Sequence, residues 1–221
     1  MSTEEFTIDR RIVRTRRMLR DALIDLIEER GLEGLTVRDL TQRAGLNRGT
    51  FYLHYKDIQD LLEQSKEEVL KGLTESVTRA AERNCGDGKA GKTDNMGGSA
   101  PPQIAHSNTL GAFEYFARHS RFFAVMMGPK GDPCFFLEWK KAMMEDMTKK
   151  SMKHQPDDSR LPIPRDYLVA YIVSAHLGLI QHWLESGMKL TPQEMAALMT
   201  RLNVLGPKRI FQSSSFAEPP E

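Results

Sequence analysis

Gly34-Leu-Thr-Val-Arg-Asp-Leu-Thr-Gln-Arg-Ala-Gly-Leu-Asn-Arg-Gly-Thr-Phe-Tyr-Leu-His-Tyr-Lys56 reads as two short helices joined by a tight turn. Thr36, followed three residues on by Asp39, is a capping-box start. Val37, Leu40 and Ala44 then share one face, and Gly45 stops the helix. Asn47 caps a second short helix over roughly Arg48 to His54. Two helices about an Ala-Gly-Leu turn predict a helix-turn-helix. With Phe51 and Tyr55 facing inward, Gly49, Thr50, Tyr52 and Leu53 point outward. Gly49 permits close backbone approach, Thr50 and Tyr52 offer hydroxyls, and Arg48 offers a fork suited to guanine or phosphate. Asn47 and the free N–H groups at the helix start suit a phosphate oxygen. Such a surface fits a recognition helix in the DNA major groove, and equally a solvated polar turn between packed helices.

Upstream, Leu19, Ala22, Leu23, Leu26 and Ile27 mark one face of a helix that Gly31 ends. Over 221 residues the formal charge is +1, yet residues 10–56 carry eleven basic and six acidic side chains. Arg10, Arg11, Arg14, Arg16, Arg17 and Arg20 have no acid among them. This cluster supports DNA binding and equally suits the solvated face of helix 1. Residues 1–56 are therefore assigned to an N-terminal DNA-binding domain with a flexible arm at 1–9.

Downstream the pattern stays helical, without an alternating strand. An apolar content of 40% and a charged content of 28% exclude disordered and fibrous classes. A long helix runs from the Asp57 cap to about Arg83, and the glycine-rich stretch 84–109 reads as a flexible loop. Further helices are predicted near 104–119, 121–127, 133–153, 163–187 and 191–206, with prolines at the breaks. Residues 57–212 form a C-terminal helical domain, and 213–221 a disordered tail. The fold class is all-α. Two cysteines, Cys85 and Cys134, and no apolar signal segment at Met1 point to a reducing cytoplasm. The apolar window Tyr167 to Leu184 is broken by Ser174, His176, Gln181 and His182, so a buried helix is expected there rather than a membrane span.

From about Met18 to Leu62 the chain resembles the TetR family of bacterial transcriptional regulators. The first helix ends in Glu-Arg-Gly, then come Thr-Val-Arg-Asp-Leu, Ala-Gly-Leu and Arg-Gly-Thr-Phe-Tyr-Leu-His-Tyr-Lys. Phe113 to Met147, with the turn Gly128-Pro-Lys-Gly-Asp-Pro133, and Ala170 to Leu202 resemble the C-terminal domain of one subgroup. The resemblance implies base contacts from Arg38, Thr50 and Arg48, the last also suited to phosphate. It implies backbone contacts from Thr36, Tyr52, His54 and Lys56. Two positions depart from the family pattern: Ile58 replaces a usual phosphate-contacting Lys, and Leu53 replaces a frequent aromatic or polar residue.

Gly86-Asp-Gly-Lys-Ala-Gly-Lys-Thr93 matches the Walker A pattern. A phosphate loop needs a buried strand before it and a helix at its Lys-Thr, and neither neighbour fits. The six histidines form no metal-ligand spacing, and no catalytic constellation is found. No enzyme activity, metal or cofactor is expected.

The C-terminal domain is rich in Met and Phe. Most of these are core residues, while Phe116, Met126, Phe136, Trp139, Met143 and His176 are candidates to border a cavity for a small apolar effector. The last two predicted helices carry surplus apolar surface. Small residues at Ala170, Ser174, Ala175 and Gly178, with Leu198 and Leu202, are expected to pair with their copies about a two-fold axis, as the resemblance also implies. The sequence thus points to a dimeric, operator-binding repressor released by a small-molecule effector. The alternative keeps the DNA reader and makes the C-terminal bundle a docking module for a partner protein.

Overall fold

The computed structural model describes residues 3–84 and 102–213, and among them all regular structure is helical. The helices are α1 (Thr3–Arg30), α2 (Val37–Ala44), α3 (Arg48–Tyr52), α4 (Ile58–Asn84), α5 (Pro102–Arg118), α6 (Ser120–Met127), α7 (Phe135–His154), α8 (Arg165–Glu185) and α9 (Pro192–Ser213). A 3₁₀ turn, Asp158–Arg160, precedes α8.

Chain signals set most boundaries. Gly31 ends α1 at φ +90°, its N–H donating to the Ile27 carbonyl at 2.8 Å. Asp57 caps α4 by accepting from the Asp60 amide at 2.8 Å. Thr191 and Glu194 form a reciprocal box at the start of α9. Gly206, at φ 72° and ψ 159°, breaks that helix before its end.

Three expectations are corrected. The arm placed at 1–9 is, from Thr3, the opening of α1; no Gly or Pro interrupts residues 3–9, and Glu4 and Glu5 suit a helix N-terminus. The second helix of the turn motif stops at Tyr52 rather than His54. The loop placed at 84–109 gives way to α5 from Pro102, a residue that suits a helix start. Asn84 ends α4, while residues 85–101, with Cys85 and the Walker-like octapeptide, lie outside the described residues, as does the tail beyond Ser213.

Two compact units emerge: Met1–Lys71 with Ser120–Leu137, and Gly72–His119 with Glu138–Glu221. They do not follow a boundary at 56, because the first half of α4 and all of α6 belong with the helix-turn-helix. In the first unit, Leu19, Leu23, Ile27, Leu40, Phe51, Leu61, Leu62, Phe123 and Phe135 are fully buried. In the second, α5 packs along α9, and Phe113 meets Trp183 edge-to-face at 5.3 Å. Gly111 is needed here: a Cβ would lie 2.6 Å from that of Ala80. The α8 helix is long and apolar enough to cross a membrane by composition, but Val169, Val173, Leu177, Ile180, Trp183 and Leu184 are buried within the unit.

Candidate nucleic-acid interface

The turn motif is built on two caps. Thr36 Oγ1 accepts from the Asp39 amide at 3.2 Å and donates to Asp39 Oδ2 at 2.7 Å. The Thr36 hydroxyl and then Arg30 hold the Asp39 carboxyl below its ordinary range. Gly45 closes α2 in the left-handed region, and the Leu46 amide reaches back to the Thr41 carbonyl at 2.9 Å. Asn47 Oδ1 accepts from the Gly49 amide at 2.9 Å.

These caps correct part of the sequence reading. The amides of Thr50 and Phe51 go to the Asn47 carbonyl, so three N–H groups at the start of α3 are already engaged within the chain. The Thr36 hydroxyl must leave Asp39 before it can donate to a phosphate.

The rest of the surface is open. Phe51 is fully buried and Tyr55 is nearly so, while Tyr52 is 60% and Leu53 81% exposed. Arg38, Asn47, Arg48, Gly49 and Lys56 are exposed, and Thr50 and His54 are half-buried. A Cβ at Gly49 would meet only Asn47 Oδ1, at 3.7 Å. Internal packing therefore does not require glycine at this position, and its bare backbone faces outward.

Charged ties fix this surface to its frame. Arg43 of α2 forks onto Glu29 of α1 at 2.7 and 2.5 Å; this lowers the Glu29 carboxyl and raises the Arg43 guanidinium. Arg121 of α6 reaches Asp25 at 2.7 Å and Glu28 at 2.6 Å. Lys130 Nζ caps the end of α1, donating to the carbonyls of Glu28 and Glu29 at 3.1 and 2.8 Å. Beneath it, buried Lys66 of α4 pairs with Asp132 at 2.9 Å and with Glu63 at 2.8 Å. Burial opposes ionisation of Asp132, but Lys66 and the Cys134 amide outweigh it and its carboxyl stays low. Gly131 makes the turn possible, since a Cβ there would lie 2.2 Å from the Val125 carbonyl oxygen. Sequence reading missed Lys66, Arg121, Lys130 and Asp132. The charged residues of 119–132 are visible in the sequence, but partners about seventy to a hundred residues away are not.

Among the cavity candidates, Phe116 and Trp139 stand together in the second unit, with ring centroids 5.6 Å apart. Phe113 extends the cluster from Phe116 to Trp183. Met143, in the same unit, is half-buried. His176 hydrogen-bonds to Asn203 at 2.9 Å. Met126 and Phe136 belong to the other compact unit, so the six are not one cluster. On α8, Tyr167 and Tyr171 are 70% and 60% exposed, and Ser174, Ala175 and Gly178 continue that exposed stripe. Ala170, Leu198 and Leu202 are half-buried. No group of three or more metal-ligating side chains occurs among the described residues.

Two family models match this chain. "Bacterial regulatory proteins, tetR family" matches residues 19–71, and "Transcriptional regulator C-terminal region" of the same family matches residues 105–203. The chain belongs to the TetR family. An uncharacterized HTH-type transcriptional regulator of Bacillus subtilis, YxbF, is 34% identical over 82 residues, 37% of this chain and 22% of that protein. The chain spans 22–28% of the length of the curated relatives it matches. A TetR regulator from Streptococcus agalactiae shares the fold at TM-score 0.55 and 19% identity, covering 90% of this chain and 98% of that one. Thermus thermophilus FadR, solved in complex with lauroyl-CoA, does so at TM-score 0.50 and 18% identity, covering 87% and 94%. The chain is a TetR-family transcriptional regulator, and the match at 19–71 takes in the helix-turn-helix through which that family binds DNA.

Proposed function

We propose that this TetR-family regulator is a cytoplasmic homodimer that represses by binding an operator and leaves it when a small molecule occupies the second unit. The open, side-chain-free backbone at Gly49 carries the DNA reading. It lies between Arg48 and Thr50 on a helix whose inner face is locked by Phe51. Arg38, Arg48 and Thr50 read base edges. Tyr52, His54, Lys56 and the Asn47 side-chain NH₂ hold phosphates, and Thr36 joins them by exchanging its bond to Asp39.

For the dimer, the exposed stripe Tyr167, Tyr171, Ser174, Ala175 and Gly178 supports self-pairing of α8. A Cβ at Gly178 meets nothing within 4 Å, so space is left there for a second copy, with Ala170, Leu198 and Leu202 at its margin. Two α3 helices about 34–36 Å apart then meet successive major grooves. The aromatic group Phe113, Phe116, Trp139 and Trp183 supports an apolar effector, as does the acyl-CoA held by the similar FadR fold. The effector acts by preferring a state whose α3 helices are misplaced for DNA.

Fluorescence anisotropy with the DNA flanking the protein's own gene, against shuffled DNA, tests this reading. A preference of about 10³-fold or more is expected, and Arg48→Ala reduces affinity by about 1–3 kcal/mol while relaxing specificity. Equal affinity for both DNAs overturns the assignment of that operator. A monomer in sedimentation at micromolar concentration overturns the dimer.

A further inference from the structure

The arginine cluster of α1 divides into two groups. Arg16 places its guanidinium over the Tyr55 ring at 5.5 Å, donates to the Tyr55 hydroxyl at 3.2 Å, and binds Gln64 Oε1. Arg17 pairs with Asp21 at 3.6 Å, and Arg20 with Glu68 at 2.9 Å. These three tie α1 to its own turn, to Tyr55 or to α4. Arg10, Arg11 and Arg14 are exposed and are not among the residues these ties engage. They fall within about 100° of arc on the helix, one outward face.

Register places that face. Arg16 meets Gln64 and Arg20 meets Glu68, one turn further along both helices, so α1 and α4 run in the same direction here. Continuing backward along α1 by up to about two turns brings Arg10, Arg11 and Arg14 level with residues 58–62. That is the start of α4, directly after His54 and Lys56. The acids at this end are committed locally: Asp57 accepts from the Asp60 amide, and Asp60 accepts from the Lys56 amide and Gln64 Nε2. Hydrogen bonding leaves Asp57 and Asp60 their charges, so among the described side chains at this end Arg10, Arg11, Arg14 and Lys56 set four positive charges against two negative ones.

From this we infer that Arg10, Arg11 and Arg14 form a second, sequence-independent contact that holds duplex phosphates flanking the site read by α3. The inference rests on the DNA-binding reading of α3. The patch contributes affinity and salt dependence, whereas α3 contributes sequence preference.

The test is anisotropy on a mixed-sequence duplex over a salt series, using the full chain and its R10Q/R11Q/R14Q and R10K/R11K/R14K variants. Each phosphate contact adds about 0.9 to the slope of log K against log salt. The Gln variant is expected to lower the slope by about 1 to 3, and the Lys variant to restore it, because a phosphate contact accepts either cation. Because all three positions are exposed, circular dichroism is expected to match across the set. An unchanged slope in the folded Gln variant, with wild-type binding intact, overturns the inference alone. Absence of wild-type binding to any duplex at low salt overturns the DNA-binding reading and this inference together.

Discussion

Each compact unit has an aromatic core of its own, Phe122, Phe123 and Phe135 in the first and Phe113, Phe116 and Trp183 in the second, but the charged ties within them differ. The first is joined by ions and caps: Arg43 on Glu29, Arg121 on Asp25 and Glu28, Lys130 on the end of α1, and buried Lys66 on Asp132. In the second, separate helices meet through rings and close approach, with Phe113 against Trp183 and Gly111 against Ala80, while the ion pair of its buried Arg165 with Asp158 spans seven residues. Directional bonds fix an orientation to a few tenths of an ångström, which a unit presenting α3 to DNA requires. Methionines repack at smaller cost, which suits the proposed role of that unit in taking an apolar effector.

The contrast can be broken from the aromatic side first. Phe113→Ala removes a fully buried ring touching Phe116 and Trp183, with an expected loss of about 3–5 kcal/mol in urea unfolding. Both tryptophans, Trp139 and Trp183, lie in this unit, so their fluorescence reports it directly. A loss below about 1 kcal/mol would mean that the cluster is already loose. Next, Asp132→Asn removes the buried carboxylate charge paired with Lys66, at an expected cost of about 3 kcal/mol. Adding Lys66→Met is expected to recover much of it; no recovery would show that the pair itself stabilises the turn.

Acid sharpens the same comparison. Glu29, Asp39, Asp60 and Asp132 of the first unit have carboxyls held below their ordinary range, against Asp157 and Glu194 among the described residues of the second. Their contribution is complete above the unfolded carboxylate pKa of about 4 and is lost as pH falls through the lower folded values. Hydrogen exchange in α1 and α2 is therefore expected to accelerate in acid before tryptophan fluorescence changes. Simultaneous changes would show one cooperative block. The smallest expected effect is Thr36→Ala, about 1 kcal/mol for a lost cap, visible as faster exchange at the start of α2.

The helix-turn-helix was readable in advance because its signals are local. Thr36 and Asp39, Gly45, and Asn47 with Gly49 each act across two or three residues, and the structure pairs them as the spacing implies. The proposed effector site was less legible. Phe116 and Trp139 do meet, but Met126 and Phe136, chosen for composition alone, fall in the other unit. Side-chain type states what a residue tolerates and not which neighbour it finds. The Gly128–Pro133 turn carries the same lesson: its two glycines and two prolines announce a turn, while its closure on the end of α1 and on Lys66 is absent from any window of sequence.

Helix content, caps, breaks and the exposed chemistry of α3 follow from residue order, because each is decided by backbone groups a few positions apart. The placement of α6 against α1, the partners of Arg121, Lys130 and Asp132, and the division of one arginine row into structural and exposed members arise at long range. They depend on which helices the folded chain brings side by side, and there the burial of Phe51, Phe123 and Phe135 outweighs any local preference.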